Sequence, residues 1–357
     1  MTIPERTKEA IDLLKQLIAT PSFSREEAQT ADLIQVFLQS RGVLARRLGN
    51  NVWAQNAHWQ SGKPSLLLNS HHDTVKPAQG WIRDPFHPGV EGETLYGLGS
   101  NDAGGPLVSL IATFLHFYQQ EQLPFNLLLA ATAEEEISGK NGIAALLPDL
   151  GPIALGIVGE PTKMEMAIAE KGLMVIDGEA HGVSGHAARN EGENALYKAL
   201  EDIQWIRSFQ FPKISDLLGP IKMTVTQIEA GTQHNVVPDR CKFVIDVRTN
   251  EHYTNEEVFE YLQSQLQSVL TARSFRLNSS GISIDHPVVQ HGLSLNWPYY
   301  GSPTLSDQAL MPFQSLKIGP GDSARSHTAD EFIRFSEIEE GIEKYIALLS
   351  MIKEGEI

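Results

Sequence analysis

The 357-residue sequence has a single cysteine, Cys241. One thiol excludes internal disulfides and leaves a cysteine-based zinc site without ligands. No apolar run approaches the ~18 residues that a membrane-spanning helix needs. The opening segment mixes charges with apolar side chains, so the uninterrupted hydrophobic stretch of a signal peptide is missing too. Positive charge is also short: 28 Lys and Arg stand against 44 Asp and Glu, a formal net charge of −16. Such a balance argues against DNA, RNA or an anionic membrane as partner, because phosphate binding needs clustered cations. These absences lead us to expect a soluble cytoplasmic enzyme or binding protein.

The remaining composition is that of a globular fold, with 41% hydrophobic and 20% charged residues. Its length suggests about two domains. Ile11, Leu14, Leu17 and Ile18 recur at helical spacing, and Thr20-Pro21 ends that run. Ser24-Arg25-Glu26-Glu27 reads as a capping box opening a second helix, which Gly42 closes. Residues 65–69, 125–131 and 153–158 are short apolar runs separated by helical segments, the pattern of buried parallel strands. Alternating strands and helices predict an α/β layer structure with a ligand crevice at the C-terminal strand ends.

Near Lys171 the pattern changes. Residues 173–180, 221–228 and 241–247 alternate apolar and polar, as in a sheet with one solvated face. Helices are expected at 194–209 and 256–270, the latter opened by the capping box Thr254-Asn255-Glu256-Glu257. The expected organisation is therefore a larger domain, 1–171 with 285–357, interrupted by a smaller α+β domain at 172–284. After Ile284 the chain reads as Gly/Pro-rich loops, then a final helix opened by Ser336-Glu337-Ile338-Glu339. There is no internal repeat and no low-complexity segment.

Polar clusters follow the buried runs. In His71-His72-Asp73, residues two apart share a face, so Asp73 can orient the His71 ring for a metal while His72 points elsewhere. Asp102, within Gly97-Leu98-Gly99-Ser100-Asn101-Asp102-Ala103-Gly104-Gly105, stands where a dinucleotide fingerprint needs glycine. It is either a ligand in close approach to a metal or the cap of the helix that follows. Glu134-Glu135-Glu136 is either a solvated helix start or a set of carboxylates neutralised by cations. Glu160 and His327 add two more candidates. His, Asp and Glu without Cys suit a pair of divalent ions used in hydrolysis. Cys241 alternates with Phe243, Ile245 and Val247 on an apolar face, so it reads as core rather than nucleophile.

Together, in this order, these motifs resemble the M20 metallopeptidases, the group of aminoacylases, carboxypeptidases and deacylases that includes acetylornithine deacetylase and succinyl-diaminopimelate desuccinylase. The likeness runs from Leu66 to the C-terminus. It implies a mixed central sheet flanked by helices, with the inserted domain serving as lid and dimerisation domain. It also implies two zinc ions, or cobalt or manganese in their place. His71 and Glu160 would complete one site and Glu136 and His327 the other, with Asp102 bridging, Asp73 orienting His71 and Glu135 as general base. His186 in Gly185-His186-Ala187-Ala188 would stabilise the oxyanion, and Asn235 and Arg248 would contact substrate. Arg189 replaces a usual proline, Glu134 stands where Asp is commoner, and Arg325 is an extra cation; Arg189 or Arg325 is expected to read an acyl-group carboxylate. The loops at 301–307 and 233–238 are similar to the acetylornithine deacetylase branch. The resemblance thus implies a homodimeric hydrolase of an N-acyl-L-amino acid, foremost N-acetyl-L-ornithine in arginine biosynthesis. N-succinyl-L-ornithine, N-acetylcitrulline, acyl-diaminopimelate or a dipeptide are rival substrates, and a non-catalytic metal-binding relative is the rival from another class.

Overall fold

A strand covered on both faces has no polar side to present, which explains the unbroken apolar runs. The computed structural model, which describes residues 1–189 and 191–357, shows the two covers. Leu66 and Leu68 join Leu127 and Leu129 in one buried cluster, while Leu67 joins Leu128 and Ala130 in another on the opposite face. Each buried leucine contributes about 1.5–3 kcal/mol.

The chain divides into two compact units: Met1–Ile168 with Gly281–Tyr300 and Ser306–Ile357, and Ala169–Ser280 with Gly301–Leu305. The first stretch lays down α1 (Ile3–Ile18), α2 (Ala28–Gln39), β1 (Arg46–Leu48), β2 (Asn51–Gln55), β3 (Ser65–His71), β4 (Gly89–Glu91) and β5 (Thr94–Tyr96). It continues through α3 (Gly105–Phe117), β6 (Asn126–Thr132), α4 (Ile143–Leu150), β7 (Leu155–Val158) and β8 (Met166–Glu170). Next come β9 (Met174–His181), α5 (Ala195–Ser208), β10 (Lys222–Ala230), β11 (Arg240–Arg248), α6 (Asn255–Gln265) and β12 (Val269–Ala272). The last stretch forms β13 (Ser280–Gly281), α7 (Pro287–Ser294), β14 (Tyr299–Ser302), β15 (Ser315–Lys317), β16 (Phe332–Arg334) and α8 (Phe335–Met351).

A mixed sheet runs in the order β1-β2-β6-β3-β7-β15-β8-β13, with β14 beside β8. Its centre, β6-β3-β7-β15, is parallel, so those four strands end on one edge. Helices α1, α3 and α8 pack together over the Leu66 and Leu68 face. Ile143, Leu146 and Leu150 of α4 cover the other face. The fold is thus a mixed central sheet flanked by helices.

The second unit has an antiparallel sheet, β10-β11-β9-β12. Cys241, Phe243, Ile245 and Val247 lie buried in one cluster with Ala199 and Ile206 of α5 and Val258 and Leu262 of α6. The alternation expected along β10 breaks at a register shift between Val225 and Gln227, and Ile228 is exposed.

Local signals fared unequally. The Thr254 capping box forms, with Glu257 N donating to Thr254 Oγ1 and Thr254 N to Glu257 Oε2. Helix α6 stops at Gln265 rather than near 270, because residues 269–272 pair with β9. The Ser24 box does not form: α2 starts at Ala28 and Ser24 Oγ donates to Asp73 instead. Helix α8 starts at Phe335, so Ser336 is not its cap; Arg334 N donates to Glu337. The region after Ile284 also contains a helix, α7, capped by the His286 side chain.

Candidate metal centre

The parallel strands deliver three of the candidate segments to one edge. His71 is the last residue of β3, level with Thr132 at the end of β6. Its Nδ1 donates to the Asp73 carbonyl at 3.0 Å and lies 3.4 Å from the Asp73 carboxylate. That bond fixes the ring and aims Nε2 at a ligand position. His72, as expected, points away, to Thr30 and the Asn50 carbonyl. The buried Asp73 carboxylate also accepts from Ser24 Oγ at 2.7 Å, Glu135 N at 3.1 Å and Glu136 N at 3.2 Å. One side chain thereby orients both the His71 ring and the turn after β6.

Glu135 and Glu136 occupy that turn, entered through Glu134 in a left-handed conformation with φ 56°. The solvated-helix reading fails, since the Glu135 and Glu136 side chains are only 12% and 7% exposed. Glu134 is held by Asn141, and its N–H donates to the buried Glu27. Asp102 sits in a tight turn ahead of α3, and its side chain does not cap that helix. Its Oδ1 lies 3.3 Å from His71 Nε2 and its Oδ2 lies 3.6 Å from His327 Nε2. The carboxylate therefore has one oxygen toward each histidine. His327, in a left-handed conformation with φ 59°, brings Nε2 within 2.9 Å of Glu136. Glu135 and Glu160 each come within 3.8 Å of His71 Nε2.

Among the described residues, ligand atoms within 4.8 Å of one another are found in His71 with Asp102 and Glu136, and in His71 with Glu135 and Glu160. Four carboxylates thus converge on two imidazoles. Burial, reinforced by Asp102 and Glu136, pushes Glu160 up to about 8. Burial raises Glu135 well above its ordinary value, with Glu160, Asp307 and Glu136 adding to it against the pull of His71. Burial likewise raises Glu136. His327 is raised to about 9, chiefly by its hydrogen bond to Glu136. Burial alone would lower His71, but Glu135, Asp102, Asp73 and Glu160 outweigh it and raise its pKa. Carboxylates crowded in this way are relieved by divalent cations, and an oxygen-and-imidazole donor set without thiolate suits them. The residues fit a metal centre.

Other expected residues have different surroundings. Arg325 is not a free cation: Glu337 holds its guanidinium at 2.8 and 3.0 Å, and it stacks 4.3 Å over Phe332. His186, Arg189, Asn235 and Arg248 belong to the second unit. There His186 Nδ1 accepts from Ala188 N, Arg189 lies 3.8 Å from Glu191, and Asn235 is exposed. Arg248 is held by Asp246 through Nε and Nη2, at 2.8 and 3.0 Å. Sequence reasoning missed Glu27, Asn101, Asp307 and Glu331. Asp307, raised to about 6 by burial, accepts from Oγ1 of Thr132, the residue level with His71 on the neighbouring strand. An acidic residue four places after a ligand histidine was the only hint of Glu331.

The peptidase dimerisation domain family matches residues 168–273. A peptidase M20 domain-containing protein of Schizosaccharomyces pombe is 25% identical over 350 residues, covering 94% of this chain and 82% of that protein. Aminopeptidase PepT of Bacillus cereus superposes with a TM-score of 0.77 at 16% identity, over 96% of this chain and 98% of that one. A dinuclear metal-binding M20 peptidase of Bacillus subtilis gives 0.75 at 16% identity, over 97% and 98%. No helix among the described residues is long and apolar enough to cross a membrane. The chain thus has the M20 peptidase fold with the peptidase dimerisation domain inserted, and its Schizosaccharomyces pombe relative supports a hydrolytic enzyme.

Proposed function

We propose that the chain is a dinuclear metal-dependent amidohydrolase that cleaves N-acyl-L-amino acids, foremost N-acetyl-L-ornithine to L-ornithine and acetate in cytoplasmic arginine biosynthesis. One observation carries the reading: Asp102 has an oxygen toward each of His71 and His327, with Glu135 beside them. His71, Asp102 and Glu160 would hold one ion and Asp102, Glu136 and His327 the other, as zinc or as cobalt or manganese. Such ions supply Lewis acidity, polarising the amide carbonyl and making water more acidic. Glu135 would take the proton of the attacking water and pass it to the leaving amine. Asp73 holds Glu135 in place through its backbone N–H.

From the inserted domain, His186 would donate to the developing oxyanion and Asn235 would bind substrate. Arg248 would clamp the α-carboxylate through Nη1, which its pairing with Asp246 leaves over. The dimerisation domain supports pairing of two copies. With Arg325 held by Glu337, Arg189 is the remaining candidate to read a succinyl carboxylate.

The test is turnover of N-acetyl- and N-succinyl-ornithine, N-acetylcitrulline, acyl-diaminopimelate and a dipeptide, with and without chelator. The reading expects chelator-sensitive release of free amine, fastest from N-acetylornithine, and an unchanged ratio of acetyl to succinyl turnover in Arg325→Ala. A dipeptide turned over fastest would move the assignment to a peptidase.

A further inference from the structure

The centre's neatest feature, one carboxylate addressing two histidines, depends on how the Asp102 backbone is held. Asp102 stands in a turn where neither the sheet nor α3 fixes its peptide. A second carboxylate does so. Glu331 is 2% exposed, four residues beyond His327. Its Oε1 accepts from Asn101 N at 2.8 Å and Asp102 N at 2.9 Å, and its Oε2 accepts from Gly99 N at 3.0 Å. Its own carbonyl accepts from Gly97 N at 3.0 Å. Asn101 ties the same turn to the loop leading to His327, donating to the Asp322 carbonyl at 3.1 Å and accepting from Asp322 N at 2.9 Å.

A buried carboxylate close to Asp102 is electrostatically costly. It stays because three backbone N–H groups converge on it, a nest that would be left unpaired without it. The same short segment carries His327, so one side chain spans the two loops that supply Asp102 and His327.

We propose that Glu331 is a positioning residue that sets the orientation of Asp102 between His71 and His327, and with it the affinity of the site for its second cation. This rests on the metal-centre reading above. Glu331→Gln keeps the shape, but its amide NH2 meets a backbone N–H where an acceptor stood.

The experiment is calorimetric titration of Zn2+ into the chelator-stripped full-length chain, wild type against E331Q, with melting of the stripped proteins alongside. Wild type is expected to take two ions per chain. E331Q should keep the tighter one and bind the other about 10–100-fold more weakly. A merely structural role would lower the melting temperature of the stripped chain and leave both affinities unmoved, which overturns the inference alone. A wild-type chain that takes up no Zn2+ overturns the metal-centre reading and this inference with it. Should E331Q fail to fold, Glu331→Asp, which keeps the charge at shorter reach, decides: weakened second-ion binding supports the proposal and unchanged binding overturns it.

Discussion

His72 shows how neighbouring residues in one strand end take opposite fates. Where His71 is surrounded by carboxylates, His72 is buried against Thr30 and the Asn50 carbonyl, and desolvation lowers it to about 4 from an ordinary 6.5. The unfolded chain therefore takes up this proton first. The resulting stability is present above pH 6.5 and lost as pH falls toward 4, by up to about 3 kcal/mol. Urea unfolding at pH 7 and pH 4.5 should show His72→Gln losing less stability on acidification than wild type; equal losses would refute the assignment. The alternation of His71 and His72 was readable from the sequence, because it follows from strand geometry alone. Asp73, two residues on, also singled out His71 over His72 in the sequence; the carboxylates around His71 arrive from residues 102, 135 and 160.

At the scale of elements, the turn ahead of α3 depends on close backbone packing. A Cβ on Gly104 would run into the Gly99 carbonyl oxygen and the Leu14 side chain. Gly104→Ala should therefore lower stability by about 1–3 kcal/mol in denaturant unfolding, and an unchanged midpoint would show that the turn can yield. The buried strands and the Thr254 cap were legible because their causes are local: burial on both faces, and a hydroxyl three residues from its partner. Ser24 carried the same signature and was misread, since Asp73, 49 residues away, takes its hydroxyl. Arg325 looked free because its partner Glu337 lies on α8. Glu331 left almost no trace, as its partners are backbone N–H groups about 230 residues earlier, which have no residue type to read. The end of α6 was set by strand pairing with β9, a tertiary preference that overrode helical periodicity.

For the molecule as a whole, the buried clusters of the described residues are divided between two units, one on each face of the larger sheet and one in the inserted unit. The Leu66–Leu68 sheet carries the histidine and carboxylate centre, and the inserted unit has its own cluster around Phe243 and Ile245. The ligand-bearing loops are joined by side chains reaching across the sequence: Asp73 to the 135–136 turn, and Glu331 to the 99–102 turn. The candidate ligands and the candidate base are different side chains, so metal uptake and proton transfer should be separable. The most direct measurement pairs metal content with amide hydrolysis in wild type and Glu135→Gln. The account predicts two ions per chain in both proteins, with kcat on an N-acyl amino acid reduced at least about 100-fold in the variant. Wild-type turnover by a fully loaded E135Q protein, or hydrolysis by a chain that holds no metal, would contradict it.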